Sequence, residues 1–193
     1  MFKITLKDGS VKEFDAALNA YDIAKSISEG LARNALAAKI DGKVRDLTTV
    51  VDSDCAIEFL TFDDDEGRRV YRHTASHILA QAVKRLYPDV KLTIGPSIEN
   101  GFYYDFDTDM TFTPEMLEKL EGEMKKIIKE NLTLERFVLP RDEAIKFMEE
   151  KGEPYKVELI NDLPEDEEVS FYRQGDFVDL CAGAHLFSTG KVK

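Results

Sequence analysis

One short run, Asp63-Asp-Asp-Glu-Gly67, sets four consecutive acids against a glycine. Such a run repels itself and resists packing, so residues 63–67 are predicted to be a linker or exposed turn. The linker divides the chain of 193 residues into a small first part and a larger second part. In the first part, residues 1–62, Phe2-Lys-Ile-Thr-Leu6 alternates like a strand, Asp8-Gly9 turns, and Val11-Lys-Glu-Phe14 starts a return strand. A helix is predicted over Ala20–Ser28, with Ile23, Ala24 and Ile27 on one side. Ala35–Ile40, closed by Asp41-Gly42, and Ala56–Leu60 supply two further strands. Strand–strand–helix–strand–strand in so short a stretch is the pattern of a ubiquitin-like β-grasp, a fold that by itself carries no function.

The second part, residues 68–193, reads as a mixed α+β domain, which makes the overall fold class α+β. Helices are predicted from Tyr71 to Leu86, stopped by Pro88, and from the Thr113-Pro114 cap to Asn131. A third covers Asp142–Lys151 and ends at Gly152. Strands are predicted at Lys91–Ile94, Phe102–Phe106, Lys156–Ile160, Glu168–Tyr172 and Phe177–Leu180.

Charge and cysteine usage narrow the partners. With 26 Lys and Arg against 38 Asp and Glu, the net charge of −12 argues against coating nucleic acid through bulk charge. From Arg68 to Tyr87, however, there is no acid, while Arg68, Arg69, Arg72, Lys84 and Arg85 form a basic island. Such an island points to a phosphate-bearing partner or to a solvated helix face. Two cysteines, Cys55 and Cys181, are too few for a disulfide framework. No stretch approaches the ~20 apolar residues of a membrane span, and the strand-like start is unlike a signal peptide. A cytoplasmic protein with no membrane partner is the expectation.

All three histidines fall in two short motifs. In His73-Thr-Ala-Ser-His77, a spacing of four puts both imidazoles on one helix face. At ~100° per residue, Ala75, Ile78, Leu79, Ala82, Val83 and Leu86 form an apolar stripe, with His73 and His77 opposite its centre. Thr74 stands where a zinc protease would need its general-base Glu, so that signature is rejected. The second motif, Cys181-Ala-Gly-Ala-His185, follows the strand-like Asp176–Leu180, and Gly183 favours a loop there. Separately, each motif is better explained by an ordinary surface face or a structural cysteine. Together, His73, His77, Cys181 and His185 match a tetrahedral zinc set. The same four could instead hydrolyse an ester without metal, because imidazole can orient a water or shuttle its proton near neutral pH. Spacing does not choose between them. Tyr104, in an aromatic-acidic strand after Gly95-Pro96, could stack on a sugar or base, or donate its hydroxyl.

These stretches, in this order, resemble the threonyl-tRNA synthetase family. Lys7-Asp-Gly-Ser10, Asp22–Ile27 and Gly30–Gly42 are similar to its ubiquitin-like TGS domain, placed at residues 1–62. His73-x-x-x-His77, Gly95-Pro…Gly101-Phe-Tyr-Tyr-Asp105 and Asp179-Leu-Cys-x-Gly-x-His185 are similar to its editing domain, the second additional domain shared with alanyl enzymes, placed at residues 68–193. The resemblance implies hydrolysis of serine esterified to threonine tRNA. His73 and Lys156 would position the attacking water, and Asp179 would hold the substrate ammonium. Tyr104, His77, Cys181 and His185 would line the pocket and fix the terminal adenosine. No cofactor is implied for editing, with zinc on the four-residue set the alternative. ATP, magnesium and a catalytic zinc belong to an aminoacylation core that this chain lacks. The implied partner is seryl-tRNA(Thr), with a homodimer for the full-length protein and a monomer for this piece.

Two departures stand out. Ala182 and Ala184 occupy places where the family commonly has Arg and Pro, and the chain stops at Lys193, whereas the family's editing domain continues for some further residues. Two other readings compete: a tRNA-binding module without catalysis, and a zinc-dependent deacylase of the alanyl type.

Overall fold

Two Asp-Gly pairs turn the chain where the alternation requires it. In the computed structural model, which describes residues 1–193, Gly9 takes φ +82°, and Asp41 and Gly42 take +46° and +80°. Consecutive positive φ angles suit the twist of a tight hairpin. The elements of this region are β1 (Phe2–Leu6), β2 (Val11–Phe14), β3 (Leu18–Asn19), α1 (Ala20–Ile27), α2 (Glu29–Asn34), β4 (Ala37–Ile40), β5 (Lys43–Arg45), β6 (Val50–Val51) and β7 (Cys55–Leu60). The main sheet runs β2-β1-β7-β4-β5, with β1 and β7 parallel and the other neighbours antiparallel. Alternation buries Phe2 and Ile4 from β1 and Ile57 from β7 against Ile23 of α1 and Leu47. Asn19 caps α1 by accepting the Asp22 N–H, and Ser28 caps α2 by accepting that of Leu31. This is the β-grasp expected from the pattern.

The chain forms two units. The first comprises Met1–Arg72 with Gly183–Phe187, and the second His73–Ala182 with Ser188–Lys193. In the first unit the Asp46 carboxylate accepts the His185 N–H at 2.7 Å, and Phe187 stacks on Tyr21 at 5.3 Å. His185 and Leu186 are buried there.

The acidic run does not stay extended. Asp65, Glu66 and Gly67 form the first turn of α3 (Asp65–Leu86). Acids are favoured at a helix N-terminus, where they face the positive end of the dipole. Asp64 accepts the N–H and hydroxyl of Thr61, and Arg68 donates to the carbonyls of Phe62 and Asp63 and pairs with Asp65.

The second unit continues with β8 (Lys91–Leu92), β9 (Ser97–Ile98), β10 (Gly101–Phe102), β11 (Phe106–Asp107), α4 (Pro114–Glu130), β12 (Leu134–Val138), α5 (Arg141–Glu150), α6 (Pro154–Asp162), β13 (Ser170–Gln174) and β14 (Phe177–Leu180). The antiparallel sheet β12-β13-β14 buries Phe171 against Met148 of α5 and Ile160 of α6. Thr113 caps α4 by accepting the Met116 N–H, ahead of Pro114 at the first helical position.

Two expectations need correction. Lys156–Ile160 is helical: the apolar alternation of Val157 and Leu159 imitates a strand, but Pro154 opens a helix. In that helix Lys156 and Ile160 lie four apart on one side, and both are buried. The second correction concerns α3, whose far face is not open. Thr74, Ser76, His77, Ala80 and Gln81 are buried along with the apolar stripe, while Leu86 at the end of the stripe is exposed. A helix enclosed on both sides must satisfy its polar side chains internally. Ser76 accordingly donates to the Gly95 carbonyl at 2.7 Å, and Gln81 exchanges hydrogen bonds with Gln174.

Candidate active site

Strand periodicity delivers the first polar group. Along β14, Phe177 and Asp179 face inward, and Asp179 is only 2% exposed. A carboxylate so deeply buried needs partners, and it has several. Lys156 of α6 reaches its Oδ1 at 2.8 Å, and the Tyr104 hydroxyl donates to Oδ2 at 2.6 Å. The Lys156 ammonium also donates to the Tyr104 oxygen at 3.1 Å, which closes a triangle. His77 Nε2 stands 3.7 Å from the same carboxylate.

One helical turn before His77, the His73 ring meets the His77 ring edge-on with centroids 5.0 Å apart. His73 Nε2 lies 3.4 Å from the Cys181 sulfur. Cys181 is fixed at the end of β14 because its N–H donates to the Ser170 carbonyl and its own carbonyl accepts the Ser170 hydroxyl. Two half-buried groups, His73 and Cys181, thus stand beside a fully buried cluster of Lys156, Asp179, Tyr104 and His77. Six of the seven residues named from sequence lie in this unit; His185 lies on the segment held by Asp46 in the first.

The electrostatics follow from burial and pairing. Burial opposes ionisation of Asp179, but the Lys156 ammonium, aided by hydrogen bonds from Lys156 and Tyr104, outweighs it and keeps the carboxyl below its ordinary value. Burial, then the Asp179 charge, raises the Tyr104 phenol well above its ordinary value, so it remains a donor. Burial also drives His77 down to about 3, despite the opposing pull of Asp179. His77 is therefore neutral at physiological pH.

This has a measurable consequence for stability. An unfolded imidazole of ordinary value 6.5 takes up a proton that folded His77 refuses until about pH 3. Its contribution to stability is complete above that ordinary value and is lost as the pH falls toward 3. The loss from one such group approaches about 1.4 kcal/mol per pH unit. Urea unfolding across this window should show a shallower acid decline for His77→Gln than for wild type. Equal declines would place His77 outside the buried cluster.

Gly95 is the site residue that the sequence did not single out by itself. A Cβ there would overlap the Tyr104 ring, so only glycine lets that backbone pass. Gly95→Ala is expected to push Tyr104 off Asp179 and to cost about 1–3 kcal/mol as an overpacking substitution. Chemical denaturation measures this directly, and an unchanged midpoint would show that the ring has room to shift.

The basic island is largely occupied. Arg68 serves the start of α3, Arg85 pairs with Glu123 and Glu130, and Lys84 pairs with Glu153.

Residues 2–61 match the TGS domain family, and residues 169–193 match the threonyl and alanyl tRNA synthetase second additional domain family. Over all 193 residues the chain is 67% identical to a threonine–tRNA ligase of Acetivibrio thermocellus, 64% to one of Clostridium acetobutylicum and 63% to one of Clostridioides difficile. Across its whole length the chain is thus similar to threonine–tRNA ligases, and it spans 30% of the length of each of these relatives. No helix in it is long and apolar enough to cross a membrane.

Proposed function

We propose that this chain is the editing part of a threonine–tRNA ligase and hydrolyses the ester of serine mischarged onto threonine tRNA. The observation that carries the reading is the buried triangle of Lys156, Asp179 and Tyr104 beside the His73–Cys181 contact. Serine differs from threonine by one methyl, a difference worth about 1–3 kcal/mol in a binding pocket, too little for accurate charging. A second, hydrolytic site that admits only the smaller amino acid supplies the missing discrimination.

His73 and Lys156 orient the attacking water, with His73 accepting its proton. The Lys156 cation, fixed before the reaction begins, stabilises the oxyanion that develops on the ester carbonyl. Asp179 has lone pairs beyond those used by Lys156 and Tyr104 and takes the substrate ammonium. His77, neutral, and Cys181 line the pocket in this reading. The reading needs no metal, and tRNA binding is expected from the family. The full-length protein is read as a homodimer.

A zinc-dependent second reading has one observation in its favour. The ligand atoms of His73, His77 and Cys181 lie within 4.8 Å of one another. Bond lengths of about 2.0–2.3 Å at a tetrahedral zinc place neighbouring ligands about 3.5 Å apart. The 3.4 Å between His73 and Cys181 meets that requirement. Metal analysis of the purified chain decides between the two: the water-mediated reading expects hydrolysis to persist after chelation, whereas loss of serine release that only zinc restores would replace it with zinc chemistry.

A further inference from the structure

Glu153 takes no part in the polar triangle, yet its bonds tie the start of α6 to β8 and to the end of α3. It is 5% exposed and stands immediately before α6, three residues ahead of Lys156. Its carbonyl accepts the N–H groups of Lys156 and Val157 at 3.2 and 3.3 Å, and its own N–H donates to the Met148 carbonyl at 3.0 Å. One carboxylate oxygen accepts the Leu92 N–H of β8 at 2.9 Å. The other pairs at 2.7 Å with Lys84, in the last turn of α3. Lys84 spends its remaining donors on the carbonyls of Pro88 and Val90, at 2.8 and 3.0 Å.

Each of these attachments leads to a different site residue. α3 carries His73 and His77. Leu92 pairs with Phe106, whose ring stacks on Tyr104 at 4.9 Å. The start of α6 carries Lys156. Glu153 is also close enough to Tyr104 for its charge to add to the rise that burial and Asp179 cause there. A buried ion pair is a poor source of net stability, because desolvation offsets most of its attraction. What such a pair can supply is geometry, since a carboxylate at the start of α6 with fixed partners on β8 and α3 admits a single arrangement. We propose that Glu153, held by Lys84, is a positioning residue that sets Lys156 and Tyr104 relative to the histidine pair for ester hydrolysis.

This proposal rests on the deacylase reading above. The test compares wild type, Glu153→Gln and Glu153→Asp in the complete ligase, following serine release from seryl-tRNA(Thr) with the folded fraction measured by circular dichroism. Gln keeps the size and an oxygen for Leu92 but cannot pair with Lys84; Asp keeps the charge but falls short by a methylene. Displacing a catalytic group by about 1 Å can cost as much as 10²-fold, so Glu153→Gln is expected to lower kcat roughly tenfold to a hundredfold. KM should stay within about twofold, and Glu153→Asp should retain part of kcat, because the group positions catalysts and does not bind substrate. Should Glu153→Gln fail to fold, Glu153→Asp alone must show the kcat fall at an unchanged folded fraction. A kcat equal to wild type, or a loss that only tracks the folded fraction, overturns the proposal while leaving the deacylase reading standing. Wild type that releases no serine overturns both.

Discussion

Asp179→Ala is expected to destabilise the chain by about 3–5 kcal/mol, the usual effect of stripping one partner from a buried ion pair. The reason lies in what remains. Lys156 is 3% exposed, and its ammonium would keep only the Tyr104 oxygen as a partner. The pair itself contributes little beyond the cost of burying it, so removing both charges should be far milder than removing one. The double variant Lys156→Met with Asp179→Leu should accordingly recover most of the lost stability and none of the hydrolysis. Urea unfolding of the two variants checks this. An Asp179→Ala midpoint close to wild type would mean that water reaches Lys156 and that the triangle is not closed.

The second large effect falls on activity alone. His73→Ala should lower serine release by a factor on the order of 10²–10⁴, the range for loss of a positioned general base. Its cost in stability should be small, since His73 is only half-buried, whereas Thr74, Ser76 and His77 around it are enclosed. Rate measurements under single-turnover conditions, set beside the melting temperature, separate the two outcomes. A variant that melts much earlier than wild type would make His73 a packing residue.

The β-grasp was readable because its signals are local. Alternation of Phe2, Ile4 and Leu6, together with the Asp-Gly turns, fixes strands whatever lies elsewhere in the chain. The caps at Thr113 and Pro114 did the same for α4. Where the reading failed, a distant partner decided the outcome. Val157 and Leu159 alternate like a strand, and only the Pro154 start and the packing of Ile160 beneath Phe171 make the segment helical. The far face of α3 looked open because its residues are small or polar. It is enclosed by groups that sequence spacing does not reveal, such as the Gly95 carbonyl and Gln174.

The candidate site divides along the same line. The spacing of four in His73-x-x-x-His77 is a property of one helix and was legible. That Lys156, Asp179 and Tyr104 meet was foreseen only through family resemblance, because they come from three segments separated by 23 to 75 residues. Glu153 left no trace in the sequence beyond being an acid before a proline. Its burial depends on Lys84 and Leu92, both more than 60 residues away.

Serine release from seryl-tRNA(Thr), followed beside threonyl-tRNA(Thr) with the wild-type protein and His73→Ala, tests the central claim most directly. The expected result is rapid hydrolysis of the seryl ester by wild type, little hydrolysis of the threonyl ester, and neither by His73→Ala. Survival of the seryl ester in both the 193-residue chain and the complete ligase would contradict it and leave a tRNA-binding module in its place.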